Sequence, residues 1–188
     1  MFDNKRNGDV IFSDHHLESE IRKALQLQND PLTTADLKTI RHLSLNNQKI
    51  SSLNGLEEAT NLSTLSISHH NLSTLDPLLT LDHLRHLTIR LNKSITPKSL
   101  SSLTKLTDLQ LKSVGEQDIE PLGGLLKLRR LALGSVVIRN IQSIATLPNL
   151  KVFDLNRPTF PKKGHIELPQ KLNELRITKA RLRNLDQF

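Results

Sequence analysis

Eight histidines, a Gly-Gly stretch near a lysine, and many serines and aspartates are the features of this 188-residue sequence that could do chemistry. His15-His16 and His69-His70 are adjacent pairs, a first step toward a metal site. A protein-held zinc needs three or four ligands at about 2 Å, and neither pair comes with an HExxH pattern or a third ligand. On a strand, neighbouring side chains face opposite ways, so His69 and His70 would diverge. Gly123-Gly124 with Lys127 lacks the Gly-Lys-Ser/Thr ending of a phosphate loop and reads as a tight turn. No serine sits in a G-x-S-x-G elbow. The chain has no cysteine, which removes a thiolate nucleophile, a thiolate metal site and a disulfide frame together. The expectation is a protein that is no enzyme and uses no cofactor or metal.

The elements that must position the remaining polar residues follow from the aliphatic ones. There is no Trp or Tyr, and the aromatics are Phe2, Phe12, Phe153, Phe160 and Phe188, so the core has to be built from Leu and Ile. The pattern L-x-x-L-x-L recurs every 22 residues, starting at Ile40, Leu62, Leu84, Leu106, Leu128, Leu150 and Leu172. Its fourth position is Leu43, Leu65, Leu87, Leu109, Leu131, Phe153 and Leu175. Its sixth is Leu45, Ile67, Ile89, Leu111, Leu133, Leu155 and Ile177.

Positions four and six alternate as a strand requires, and successive strands about 4.8 Å apart make a parallel sheet. The fold class is therefore α/β: a leucine-rich-repeat solenoid with a curved parallel sheet on its concave face and short helical or 3-10 turns on the convex face. Leu109, Leu131 and Phe153 should be buried, with Thr107, Gln110, Arg129 and Lys151 outward. Returning segments add Ile50, Leu53, Leu56 and Ala59 in the first repeat, and Leu72, Leu75, Leu78 and Leu81 in the second.

Before the repeats, Asp14 can N-cap a helix whose apolar residues Leu17, Ile21, Ala24 and Leu25 fall at helical spacing. Pro31 ends that excursion, and Thr33 or Thr34 can cap a short turn through Asp36 and Leu37. The chain divides into a flexible N-terminal segment (1–13), a helical N-terminal cap (14–39) and seven 22-residue repeats (40–188) forming one array. The array stops at Phe188. Closure by Leu182, Leu185 and Phe188, a longer natural chain, and oligomer formation remain open.

From about residue 10 onward the sequence resembles the internalin-like leucine-rich-repeat domains of Gram-positive bacteria. The resemblance rests on Ile11-Phe12-Ser13-Asp14, Leu17-Glu18 with Ile21-Arg22-Lys23-Ala24-Leu25, Pro31-Leu32-Thr33-Thr34-Ala35-Asp36-Leu37, and Gly55-Leu56-Glu57-Glu58-Ala59-Thr60-Asn61-Leu62. It implies the capped-solenoid fold and binding of a host or bacterial protein by the inner sheet face, without catalysis. One departure stands out. The family favours Asn at position nine, where its amide satisfies turn backbone; here the residues are Gln48, His70, Asn92, Val114, Val136, Pro158 and Ala180. Later turns must satisfy their backbones otherwise, and the stretch from Pro158 to Gly164 should be the least regular loop.

The outward strand positions are two, three, five, seven and eight. They carry Arg41, Arg85, Arg90, Lys112, Arg129, Arg130, Lys151, Arg157, Arg176 and Lys179 against Asp108, Asp154 and Glu174. This surplus equals the whole formal net charge of +7. The first two repeats are mostly neutral there, with Ser44, Asn46, Asn47, Ser63, Thr64, Ser66, Ser68 and His69. The favoured function is a protein-interaction module for a partner with an acidic surface, held by Arg85, Arg90, Lys112, Arg129, Arg130, Lys151 and Arg176. Nucleic acid or another polyanion is the alternative. The inner positions offer no aromatic platform for stacking bases, which disfavours a single strand. The polar start, Met1 to Asp9, is no secretory signal, and no apolar run could span a bilayer. A cytoplasmic location fits the sequence as written; a bacterial surface or secreted one fits a fragment of a longer protein.

Overall fold

The computed structural model describes residues 8–28, 30–46, 49–68, 70–138, 142–159 and 167–179. The unbroken register predicts one array, yet the residues group into two compact units, Met1–Leu84 and Arg85–Phe188. In a solenoid each repeat packs only on its neighbours, so no single centre ties distant repeats together.

The first unit begins with the helical cap. Helix α1, His15–Leu25, is N-capped by Asp14, whose Oδ1 accepts from the backbone N–H of His16 (2.9 Å) and Leu17 (3.1 Å). It buries Leu17 and Ile21, while Ala24, expected inside, is exposed. Its end turns left-handed at Gln26 (φ 57°). Helix α2, Thr34–Thr39, opens with a capping box between Thr33 and Asp36 and buries Leu37. Residues 8–13 belong to this packed region, although the sequence assigned them to a leading segment. Asp9 bridges Thr33, the Val10 N–H donates to the Leu32 carbonyl at 2.7 Å, and Phe12 is buried.

Two features lock the cap onto the first repeat. The second carboxylate oxygen of Asp14 accepts from the Ser51 N–H (2.7 Å), the Ser51 hydroxyl (2.8 Å) and the Ser52 N–H (3.1 Å). Gly55 holds φ +100°, and a Cβ there would lie 2.8 Å from the Phe12 ring, so glycine is required both by conformation and by space. Strands β1 (His42–Leu45) and β2 (Thr64–Ile67) then pair in parallel, Leu43 beside Leu65 and Leu45 beside Ile67.

The second unit holds β3 (His86–Arg90), α3 (Pro97–Leu100), β4 (Asp108–Gln117), β5 (Arg130–Ile138), α4 (Gln142–Ala145), β6 (Val152–Asn156) and β7 (Glu174–Thr178). Strands β3 to β7 pair in parallel in chain order, and Leu87, Leu109, Leu131, Phe153 and Leu175 share one row across them. Position-four and position-six residues are buried in the first six of the seven repeats, whereas Leu172, Leu175 and Ile177 of the last repeat are half-buried. Gln110, Arg129 and Lys151 are exposed and Thr107 is half-buried, as the register requires. These are leucine-rich repeats. Gly123 lies in a 3-10 turn, Glu120–Gly124, where a Cβ would meet the Ser143 side chain at 2.8 Å. Leu182, Leu185 and Phe188, and most of the loop from Pro158 to Gly164, lie outside the described residues, as do Gln48 and Ala180.

The missing asparagines have two replacements. At Asn92 the side chain does the expected work, its Oδ1 accepting from the N–H of Ser94 (2.8 Å) and Ile95 (2.6 Å). His70 does a similar job with a ring nitrogen, since its Nδ1 accepts from the Leu72 N–H at 3.2 Å. Where the residue is Val114 or Val136 the strands themselves run on. After a one-residue register shift between Lys112 and Gly115, β4 and β5 resume pairing through Gly115 with Val136, Glu116 with Val137 and Gln117 with Ile138. Val137 also bridges Thr159. Backbone pairs with backbone, and no amide side chain is needed. Valine, β-branched, suits that extended conformation.

Candidate functional site

The outward face of β3 to β7 lines a groove of about 960 Å³. Its cations are Arg90, Lys112, Arg130, Arg157, Arg176 and Lys179, and its acids are Asp108 and Asp154. Four of the seven residues singled out from sequence are therefore brought together here: Arg90, Lys112, Arg130 and Arg176. Arg85, Arg129 and Lys151 are not among the lining residues. All three occupy position two, one residue ahead of the paired strand, where the backbone carbonyl of each accepts from the following repeat; the Thr107 N–H to the Arg85 carbonyl, at 2.9 Å, is an example.

Arg157 and Lys179 belong to the groove but were not among the residues favoured from sequence. Both stand at position eight, and both are left-handed, with φ of 52° and 55°; Ser135, the equivalent residue one repeat earlier, has φ 54°. The left-handed region costs a residue with a Cβ roughly 1–2 kcal/mol. Arg157 and Lys179 directly follow the last residues of β6 and β7, and a long cationic side chain at that corner lines the groove. Arginine, lysine and serine are not left-handed formers in the way glycine and asparagine are, so nothing in their identity announces the conformation.

Part of the positive charge is committed internally. Arg130 Nη2 donates to Asp154 Oδ2 at 2.6 Å, and Arg176 Nε stands 3.7 Å from Asp154 Oδ1. Arg176 also pairs with Glu174, whose hydrogen bond and charge raise its pKa above the usual arginine value. His86 Nδ1 lies 3.1 Å from Asp108 Oδ2, an oxygen that also accepts from the Thr107 hydroxyl at 2.7 Å. The groove therefore presents a fixed pattern of acids among its cations. Lys112, Arg157 and Lys179 make no side-chain ion pair within the described residues.

The corresponding face of the first unit is built differently. Ser63 Oγ donates to the Arg41 carbonyl (2.9 Å), and Ser68 Oγ donates to Asn46 Oδ1 (3.4 Å). Of the histidine pairs, His15 and His16 sit with ring centroids 3.9 Å apart, while His69 lies outside the described residues. Among the described residues no group of three or more His, Cys, Asp or Glu side chains could hold a metal ion. Nor is any described helix long and apolar enough to cross a membrane.

The repeats, their register and the helical cap define an α/β leucine-rich-repeat solenoid with an internalin-like arrangement of cap and repeats. Solved structures bear out that fold. An internalin of Listeria monocytogenes, InlF, matches with a TM-score of 0.66 at 24% identity, over 94% of this chain and 59% of that one. Internalin C2 of the same bacterium matches with a TM-score of 0.65 at 21% identity, over 98% and 94% of the two chains. The chain thus spans somewhat more than half of the first relative and nearly all of the second. No protein-family model matches the sequence, and no curated protein matches it.

Proposed function

We propose that this chain is a non-catalytic binding module that holds a protein partner by an acidic surface laid in the groove of the second unit. The observation that carries the reading is the convergence of six cations and only two acids on one groove of about 960 Å³. Arg90, Lys112, Arg157 and Lys179 supply the outer charge, with Arg130 and Arg176 oriented by Asp154. Arg85, Arg129 and Lys151 add positive potential next to the groove and steer approach. Arginine holds a carboxylate by two parallel hydrogen bonds, which suits an acidic protein surface. The groove presents no aromatic ring other than the His86 imidazole, so stacking of unpaired bases has little to rest on.

Steering of this kind weakens as the screening length falls from about 10 Å at 0.1 M salt to about 3 Å at 1 M. The test is capture from cell or host lysate, with and without nuclease, by the wild type, Arg157→Glu/Lys179→Glu and Arg129→Glu/Arg130→Glu. Protein capture that survives nuclease, fades with salt and is lost in the first variant supports the reading. Nuclease-sensitive capture assigns the groove to nucleic acid. Undiminished capture by both folded variants removes this face from the function.

A further inference from the structure

Resting on the reading just given, we infer that the groove floor contains a specificity notch over Ala132 and Gly134, shaped to receive one carboxylate side chain of an extended acidic polypeptide. On β5 the two floor positions carry almost no side chain. Their registered neighbours are long: Gln110 and Lys112 on β4, Asp154 and Asn156 on β6. The gap between those flanking strands is two strand spacings, about 10 Å, the width of one inserted side chain.

Nothing in the fold demands glycine at position 134. It is not at positive φ, and its pairing to Lys112 and Asn156 is in register on both sides, ahead of the β4 irregularity. A Cβ there would meet only the Leu111 carbonyl oxygen, at 3.6 Å, an ordinary contact. Glycine inside a strand weakens it, and one use of such a residue is to admit the close approach of a ligand.

The polar groups around the notch fit a carboxylate-bearing residue end to end. Lys112, exposed and without an ion-pair partner among the described residues, stands level with Gly134. Two residues back along the strand and two strands across from Lys112, about 12 Å away between backbones, Asp154 stands level with Ala132. Its Oδ1 is buried and accepts no hydrogen bond. An acceptor without a hydrogen bond at one end, 3.7 Å from Arg176 Nε, and an ammonium on a flexible four-carbon stem at the other suit the backbone N–H and the carboxylate of a single glutamate. Arg130 and Arg176 hold the Asp154 side chain in place beside the notch.

Fluorescence anisotropy with a fluorescein-labelled dodecapeptide of alternating Glu and Ser, at 0.15 M salt, tests this. Size-defined heparin fragments serve as a polyanion that binds by charge alone. Gly134→Leu and Ala132→Leu each fill the notch without altering charge; thermal melts establish which of them fold, and Gly134→Ala is the milder alternative. The expected result is at least a tenfold loss of peptide affinity in the filled variants, with heparin affinity changed less than twofold. Filled variants that bind peptide like the wild type overturn the notch. So do filled variants that lose heparin and peptide equally. If Arg157→Glu/Lys179→Glu still abolishes peptide binding in either case, the groove reading stands without the notch; if that variant also binds like the wild type, the groove reading falls as well.

Discussion

The two units share one repeat grammar and differ in what they put on the outward face. In the first, Ser63, Ser68 and Asn46 hydrogen-bond to neighbouring repeats, and the polar groups satisfy one another. In the second, arginines, lysines and aspartates cover the equivalent positions and gather around a groove. Inward positions four and six are leucine, isoleucine or phenylalanine in both. Burial fixes those residues, whereas the outward ones are left to function, so repeats with the same fold acquire unlike surfaces.

If the cores are equivalent, matching deletions in the two units cost alike. Leu65→Ala in the first and Leu131→Ala in the second each remove a fully buried side chain. Each should cost about 2–5 kcal/mol by urea titration. A near-zero cost in either unit would break the equivalence.

Next in size is Asp14→Ala, which uncaps α1 and strands the Ser51 and Ser52 donors. About 2–4 kcal/mol is expected. Its pH dependence sharpens the contrast between units. Burial disfavours the Asp14 carboxylate, but hydrogen bonds from the Ser51, Leu17 and Ser52 amides and the Ser51 hydroxyl outweigh that, lowering its pKa from 3.8 to about 2. A lowered pKa means stability that is complete above the unfolded value near 3.8 and lost as pH falls through about 2. It amounts to about 2 kcal/mol. Denaturant melts at pH 7 and pH 2.5 should show this loss in the wild type and not in Asp14→Asn; an equal loss in both would place the acid sensitivity elsewhere.

Gly55→Ala should cost about 1–3 kcal/mol, because the new methyl group both opposes the positive φ and presses on Phe12. The same change at Gly134 should fall within about 1 kcal/mol of neutral, since neither constraint applies there. Smallest of all, Ser66→Ala and Gln110→Ala should each stay within about 0.5 kcal/mol of the wild type in thermal melts. A larger loss at Ser66 would mean the neutral face has a structural task that the charged face lacks.

The repeat register was legible because every inward position obeys burial, and burial leaves few residue types. Leu109, Leu131 and Phe153 fall inside for that reason, and Asp14 and Thr33 are caps because only short oxygen-bearing side chains reach the free helix amides. The groove was legible only as a list of signs. Sequence gives the positions of Arg157 and Lys179 but not the left-handed turn they adopt, which is set by the departure of the chain from each strand. It gives Asp154 as an acid but not its place between Arg130 and Arg176, residues on the two adjacent strands that flank it. Arg85, Arg129 and Lys151 were favoured with the groove residues because outward-facing was equated with groove-lining, and position two precedes the part of the strand that forms the floor.

The run-on of β4 and β5 past their register shift has a consequence for how the molecule exchanges protons with water. An amide in a turn closed by one asparagine or histidine side chain is released when that side chain rotates, a small and frequent event. Amides paired in a second ladder are released only when adjacent repeats part, which opens several pairs together. Deuterium uptake should therefore be slow across 115–117 and 136–138, and fast at Leu72, Ser94 and Ile95, so that the turns replaced by paired strands hold their hydrogen the longest.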